Sequence, residues 1–235
     1  MLLKKKLLIA SGVFLICASV LWAGDTASFV DLGFSPDGKT YMFGQYGIQS
    51  STLKPWAELY VVDVPSNNYV PNGKVSYTQN SPIKAGQDGS GILYQLINSN
   101  SSLVNRYGVV FQNQGLPLYI SRDEKQPLYG EKIDFRDFIS GKAYKAELVP
   151  VIEGSGRNAK SSFHIKLESR LINGNGQAKT YTIGNPQIRR PQILSYNFKR
   201  VLIDSRGETI IFVIEMRRFA ENGHDIRYMV EVQRL

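Results

Sequence analysis

Cysteine is nearly absent from this chain of 235 residues, where Cys17 is the single example. One cysteine excludes an intrachain disulfide and any zinc or iron–sulfur site built from several cysteines. Histidine is almost as scarce, with two residues in all. The sequence contains no P-loop, dinucleotide-binding, zinc-protease or EF-hand motif, and no serine has the spacing of a nucleophile elbow. It therefore predicts no metal, no cofactor and no catalytic residue, and it favours a protein that is not an enzyme.

Charge is missing from residues 7–23, which follow the basic residues Lys4, Lys5 and Lys6. A basic start, an apolar run and a small residue at the cut predict a secretory signal peptide over residues 1–23, cleaved after Ala23. Residues 24–235 are then a single exported, mostly-β domain, either periplasmic or secreted. Two alternatives stay open. The uncharged run is close to the shortest that spans a bilayer, so it could remain as an anchor, and Cys17 could be lipidated.

The charge balance limits the classes of partner. Removal of the three lysines of the signal peptide lowers the formal net charge from +8 to +5. A mildly basic exported chain is compatible with an envelope protein or an anionic envelope component as partner. Nucleic acid is not expected outside the cytoplasm, and a membrane contact is expected only through an uncleaved N-terminal segment.

The remaining sequence alternates short apolar runs with turn signals, and its 13 tyrosines and 11 phenylalanines favour sheet. In 40–48, Tyr41, Phe43 and Gln45 are predicted on one face. In 57–64, alternation places Leu59 and every second residue from it on one face, and Tyr60 and every second residue from it on the other. One amphipathic helix is predicted at about 91–107, with apolar residues at three- and four-residue spacing. The predicted fold is mainly β, an antiparallel meander or a sandwich-like sheet that carries this helix.

Two segments near the ends of the domain share a layout of turn, strand, loop and strand. They are 34–64, which begins FSPDGKTYMFG, and 203–232, which begins IDSRGETIIFV. The first resembles a blade of the TolB-like β-propellers, so blade-like hairpins are predicted at both ends. A propeller needs about four or more blades of roughly 40 residues, and the long central strands do not repeat the motif. An open or sandwiched sheet is therefore favoured over a propeller.

The order of segments also resembles a bacterial family of predicted secreted proteins of unknown function. The residues that carry this resemblance are 33–38 (GFSPDG), 43–47 (FGQYG), 58–63 (ELYVVD) and 69–73 (YVPNG), followed by a helix and a C-terminal pair of strands. Family members have an aromatic pair before the proline that corresponds to Pro71, whereas here Tyr69 is the only aromatic residue there. The resemblance implies export and assigns no catalytic residue.

Two groups of residues are candidates for binding. Trp56 and Tyr60 belong to an aromatic group that serves either core packing or a platform for a sugar or peptide. Arg189 and Arg190 lie in a loop predicted at 184–191, where they could contact a phosphate, an acidic glycan or lipid headgroups. The hypothesis is a non-enzymatic binding or interaction module of the cell envelope, with Trp56, Tyr60, Arg189 and Arg190 as contacts.

Two alternatives to this hypothesis remain. The first is an envelope hydrolase that acts on glycan or peptide through a carboxylate pair, with Asp134 and Asp137 as candidates. Lys132 and Arg136 alternate with these acids, so surface ion pairing competes with that interpretation. The second alternative is a membrane-tethered scaffold with an uncleaved N-terminal segment.

Overall fold

The computed structural model describes residues 24–122, 130–174, 177–221 and 223–235. The predicted signal peptide at 1–23, with Cys17, lies outside the described residues. Strands make up 56% of the structure and helices 10%. The predicted mainly-β class, with antiparallel sheets, is therefore confirmed.

The N-terminal sheet is an antiparallel meander of four strands, β1 (Ser28–Phe34), β2 (Thr40–Ile48), β3 (Pro55–Asp63) and β4 (Asn68–Thr78), in that order. The predicted turn between β1 and β2 forms because Gly38 adopts a φ of 65° and the Ser35 hydroxyl donates to Asp37 Oδ1 at 2.6 Å. Alternation assigns the faces as predicted. Leu59 packs toward the helices, and Tyr41 and Phe43 pack on the opposite side.

The predicted helix is present as two helices, α1 (Ser90–Ser99) and α2 (Ser101–Tyr107). The break falls at Asn100, whose side-chain amide donates to the Leu96 carbonyl at 2.8 Å, and whose φ of −116° leaves the helical region. Asparagine and serine compete in this way with the backbone of a helix, which explains why the asparagine- and serine-rich stretch interrupts it. Gly108 ends α2 at a φ of 61°, as glycine commonly does.

The inner sheet has the strand order β13–β12–β11–β5. It is built from β5 (Leu116–Ile120), β11 (Ile193–Ile203), β12 (Thr209–Ala220) and β13 (Gly223–Arg234). Residues 209–214 of β12 are all buried. Phe212 packs in one core cluster and Ile211 in another, on the opposite face. The continuous apolar run of β12 therefore reflects burial on both sides.

The outer sheet has the path β10–β8–β7–β6, and β9 also pairs with β8. Its strands are β6 (Lys132–Asp137), β7 (Lys142–Glu153), β8 (Lys160–Leu171), β9 (Lys179–Ile183) and β10 (Arg190–Pro191). A short 3₁₀ helix, Gly156–Asn158, lies in the turn between the paired strands β7 and β8.

The three sheets stack face to face, with the inner sheet between the other two. The first core cluster joins the outer sheet to one face of the inner sheet, and includes Phe163, Ile165 and Phe198. The second joins the N-terminal sheet to the other face. The third packs α1 on the remaining face of the N-terminal sheet through Ile92, Leu93 and Leu96. This is a sandwich of three sheets with a helical layer on one side, in which the hairpins at both ends belong to stacked sheets.

Candidate binding site

A cleft of about 630 Å³ opens where the N-terminal sheet meets the edge strand β13 of the inner sheet. Residues of β3, β4 and β13 form its walls, and the segment 184–190 contributes Arg190. A second hollow of about 310 Å³ adjoins it and shares Tyr60, Arg190 and Met216 with it. Volumes of this size are typical of small-molecule sites. We call the two hollows together the β13 cleft.

Tyr60 and Tyr69, which line the β13 cleft, belong to a row of aromatic rings that crosses the N-terminal sheet. The ring centroids of Phe29 and Phe43 are 5.6 Å apart, those of Phe43 and Tyr60 are 4.7 Å apart, and those of Tyr60 and Tyr69 are 5.4 Å apart. Each ring comes from a different strand, because side chains on one face of neighbouring strands stand side by side. Lys74 Nζ lies 4.0 Å from the centroid of the Tyr69 ring, a cation–π contact that ends the row.

Tyr60 is held in place by a network of hydrogen bonds. Its hydroxyl donates to Glu58 Oε2 at 2.6 Å, and Gln45 Nε2 donates to the same oxygen at 2.7 Å. Gln45 Oε1 in turn accepts the backbone N–H of Tyr228 at 2.8 Å, across the gap between the two sheets. Burial first, and the neighbouring Glu58 carboxylate second, raise the pKa of Tyr60 well above its usual value. Its phenol therefore stays protonated and keeps donating to Glu58.

Glu231 is a buried carboxylate at the opposite wall, with 5% of its surface exposed. Asn67 Nδ2 donates to Glu231 Oε2 at 2.5 Å, and Asn67 Oδ1 accepts the backbone N–H of Val232 at 2.7 Å. Arg190 Nη2 lies 3.8 Å from Glu231 Oε1. Burial nevertheless raises the pKa of Glu231, although Asn67 and Arg190 both oppose the rise. The long distance to Arg190 explains why this ion pair does not offset the loss of hydration.

Lys74 adds a second cation to the cleft. Among the described residues, no carboxylate oxygen lies within 4.0 Å of its ammonium group. Partial burial of that group lowers the pKa of Lys74, and the positive charge of Arg190 lowers it further. Lys74 and Arg190 thus face the same space and repel each other, an arrangement that an anion between them would relieve.

The four residues predicted as contacts separate into two kinds. Tyr60 and Arg190 both line the β13 cleft, although they are distant in sequence. Trp56 is buried in the second core cluster, with its ring 4.0 Å below the guanidinium of Arg227. Arg189 points elsewhere, and its Nη2 lies 3.0 Å from Glu153 Oε1. A binding role for Trp56 or Arg189 stays a prediction.

The carboxylates proposed for a hydrolase do not meet. Asp134 and Asp137 lie on opposite faces of β6, since Asp134 is exposed whereas Asp137 is buried. Asp137 Oδ1 accepts the Ile139 N–H at 2.9 Å, and Asp137 Oδ2 accepts the Ser140 hydroxyl. A glycosidase pair must face one sugar from two sides, so Asp134 and Asp137 cannot form such a pair. The prediction of this pair is wrong because residues three apart on a strand point to opposite faces.

Asp134 instead belongs to a hollow of about 580 Å³ on the exposed face of the outer sheet. Its charges alternate across the strands in the rows Asp134–Lys145–Glu168 and Lys132–Glu147–Lys166. Because opposite charges are direct neighbours in both rows, they balance one another. This hollow has no excess of either sign.

Several residues of the β13 cleft were missed by sequence reasoning, namely Gln45, Asn67, Lys74 and Glu231. Glu231 had a usable signal, because it is a single acid within the apolar run YMVEV of β13. An acid in such a run is rarely buried without partners. Asn67 had no such signal, since its partners on β13 are more than 160 positions away.

Within the described ranges, no helix combines the length and the apolar character needed to cross a bilayer. In the same part of the chain, no three residues among His, Cys, Asp and Glu are grouped to hold a metal ion.

Comparison with known proteins gives one family. The model of the family described as predicted secreted protein (DUF2259) matches residues 42–234. No curated protein and no solved structure matches the chain at a significant level. The resemblance to a propeller blade has no support from these comparisons.

Proposed function

This chain belongs to the DUF2259 family of predicted secreted proteins, and we propose that it acts in the cell envelope as a binding protein whose β13 cleft takes an anionic ligand. The family supports export without saying on which side of an outer membrane the protein works. The binding function itself is our inference from the cleft.

One observation carries the proposal, namely the surplus of positive charge in the larger hollow. Lys74 and Arg190 both line it, and among its described lining residues Glu231 is the only carboxylate. Glu231 already accepts a hydrogen bond from Asn67. A carboxylate or phosphate group of a ligand would therefore find two cations whose charge is not fully compensated.

The tyrosines suggest what the anionic group is attached to. Tyr60, Tyr69 and Tyr228 line the same hollow, and aromatic walls with a few polar groups are typical of ligand sites. Such rings pack against sugar rings or the apolar side chains of a peptide. An acidic glycan or a short peptide with a free carboxylate fits this combination.

Binding is favoured over hydrolysis by the state of the carboxylates in the β13 cleft. Glu58 accepts hydrogen bonds from Tyr60 and Gln45, and Glu231 accepts one from Asn67. Both are thus engaged as fixed hydrogen-bond acceptors that position other side chains. This arrangement supports a site that holds its ligand rather than one that transfers protons to it.

The test uses protein exported from the full-length chain, with its intact mass read to show whether it begins at residue 24. Calorimetry would measure its binding to soluble peptidoglycan fragments with free carboxylates, and to the same fragments after amidation. We expect binding to the free carboxylates alone. The R190Q and K74Q variants should each weaken it about tenfold or more, as expected for a lost charge-assisted hydrogen bond.

Arg189→Gln is the matched control, because Arg189 neighbours Arg190 in sequence but pairs with Glu153. It should bind like the wild type. Equal losses in R189Q and R190Q would show a nonspecific charge effect and would contradict the proposed site. Equal binding of the amidated and the free fragments would also contradict it. Fragments recovered with reduced mass would favour the hydrolase alternative instead.

A further inference from the structure

The turn between β6 and β7 exposes two large apolar side chains at one end of the outer sheet. Phe138 is 78% exposed and Ile139 is 86% exposed, the highest values among the large hydrophobic residues that the structure describes. Leu171 and Ile172, at the end of β8, are also exposed and lie beside this turn, because the Ile172 N–H donates to the Gly141 carbonyl at 2.9 Å. We call these four residues the apolar tip.

The apolar tip has a fixed shape. Asp137 is 4% exposed, and its carboxylate accepts both the Ile139 N–H and the Ser140 hydroxyl. Gly141 completes the turn at a φ of 68°. The side chains of Phe138 and Ile139 are thus presented to solvent by an ordered turn, at a cost in exposed apolar surface that nothing within the described fold offsets.

Basic residues surround the apolar tip on both faces of the sheet. In the first row behind it, Arg136 and Arg170 lie on either side of Ala143, and both are exposed. Lys142, which is opposite Leu171 in register, and Lys179 lie at the same end of the sheet. Among the described residues, the acid nearest to the tip along the chain is the buried Asp137, which is opposite Lys142 in register.

The distribution of charge changes sharply further from the tip. Beyond Arg136 and Arg170, the two rows that contain Asp134 and Lys132 alternate in sign and balance. Among the described residues of the outer sheet, an excess of positive charge lies at the end that also carries the exposed apolar side chains, where Asp137 is opposite Lys142 and offsets only part of it. Apolar residues at a tip, with lysine and arginine directly behind them, match the layers of a bilayer surface, where anionic headgroups lie outside the acyl chains.

We propose that the apolar tip docks this protein on a membrane that contains anionic lipids, with Phe138 and Ile139 entering the acyl boundary and Arg136, Lys142 and Arg170 contacting headgroups. This contact uses the folded domain, whereas the sequence predicted a membrane contact only through an uncleaved N-terminal segment. It is also independent of the β13 cleft. Two inserted side chains and a few cations give a weak, reversible attachment.

The test is flotation of the exported protein with vesicles of phosphatidylethanolamine and phosphatidylglycerol at 7:3, compared with vesicles of pure phosphatidylcholine. We expect the wild type to float with the anionic vesicles only, and less so as salt increases. The F138S/I139S double variant should bind on the order of a hundredfold more weakly, because burial of each large apolar side chain contributes about tenfold or more. R136Q/R170Q should weaken binding to the anionic vesicles.

The control is Tyr94→Ser, which removes another exposed apolar side chain, 64% exposed on α1, and should not change flotation. Every variant carries the same N-terminus, so a difference between them belongs to the tip. Because Phe138 and Ile139 are exposed, replacing them should not affect folding. Equal melting temperatures of the variant and the wild type would verify this. Absence of flotation, equal loss in Y94S, or capture of a protein partner by the tip without lipid binding would overturn the proposal.

Discussion

At the scale of single residues, Glu231 has the most unusual environment in the β13 cleft. It is a carboxylate in an otherwise apolar strand, buried beside Asn67 and a distant Arg190. Such a group is retained when its charge positions something else, since an apolar residue would fill the same space at lower cost. Here Glu231 holds Asn67 and Arg190 at the two ends of one carboxylate.

The raised pKa of Glu231 predicts a pH dependence of stability. Because the folded state binds this proton more tightly than the unfolded state, the free energy of unfolding falls as pH rises from the usual value of 4.5 through the raised pKa. Glu231→Gln removes this contribution and keeps an acceptor for Asn67. The difference in melting temperature between E231Q and wild type should therefore increase with pH across this window. A difference that is constant from pH 4 to 7 would contradict the prediction.

At the scale of elements, strand β13 shows how the edge of the inner sheet is protected. An edge strand has backbone groups without partners in its sheet and can pair with another chain. Here the Ile226 N–H donates to the Asp25 carbonyl, the Tyr228 N–H to Gln45 and the Val232 N–H to Asn67. The backbone of Asp25 and the side chains of Gln45 and Asn67 thus cover this edge and join it to the N-terminal sheet.

We predict that Gln45→Met destabilises the protein by roughly 1–3 kcal/mol, because a methionine of similar size leaves buried partners without a hydrogen bond. In Q45M, the Tyr228 amide should exchange its hydrogen faster. The exchange rates of amides within β7 and β8 should change only as much as the loss of global stability requires. Gln95→Met on the exposed side of α1 is the matched control. If Q45M and Q95M are equally stable, Gln45 does not join the sheets.

At the scale of the whole molecule, the inner sheet makes the three layers depend on one another. Phe212 faces the outer sheet and contacts Phe135 and Phe198, with ring centroids 6.4 and 5.7 Å away. The next residue along β12, Val213, faces the N-terminal sheet. One strand therefore contributes to both cores. If residues 24–235 form a single domain, as predicted, they should unfold in one cooperative transition.

Phe212→Ala tests this cooperativity, and it should cost about 3–5 kcal/mol. Trp56 lies in the other core cluster and is the only tryptophan after residue 23, so its fluorescence reports on the N-terminal sheet. We expect fluorescence and far-ultraviolet circular dichroism to show the same lowered midpoint in F212A. A fluorescence midpoint that stays at the wild-type value would mean that the layers unfold separately.

The candidate site shows where sequence reasoning succeeds and where it stops. Tyr60 could be assigned to a face of β3 because alternation depends on local geometry alone. Arg190 could be recognised as a cation at the end of a connecting segment, but it lies in the short strand β10 rather than in the predicted loop 184–191, because its backbone pairs with Ser161 of β8. That Tyr60 and Arg190 line one cleft depends on the stacking of the sheets, and no local pattern encodes it. The pair Asp134 and Asp137 failed for the opposite reason, because proximity in sequence does not bring residues to one face.

The mainly-β class, the turns and the faces of the first strands could be predicted from the sequence alone. Each of these depends on backbone preferences and hydrophobic periodicity within a few residues. Contacts across the fold were needed to show that three sheets stack with β12 buried on both faces and that cations and tyrosines from distant strands share a cleft. These features arise from contacts between segments far apart in the chain, whose energies depend on how complementary surfaces pack.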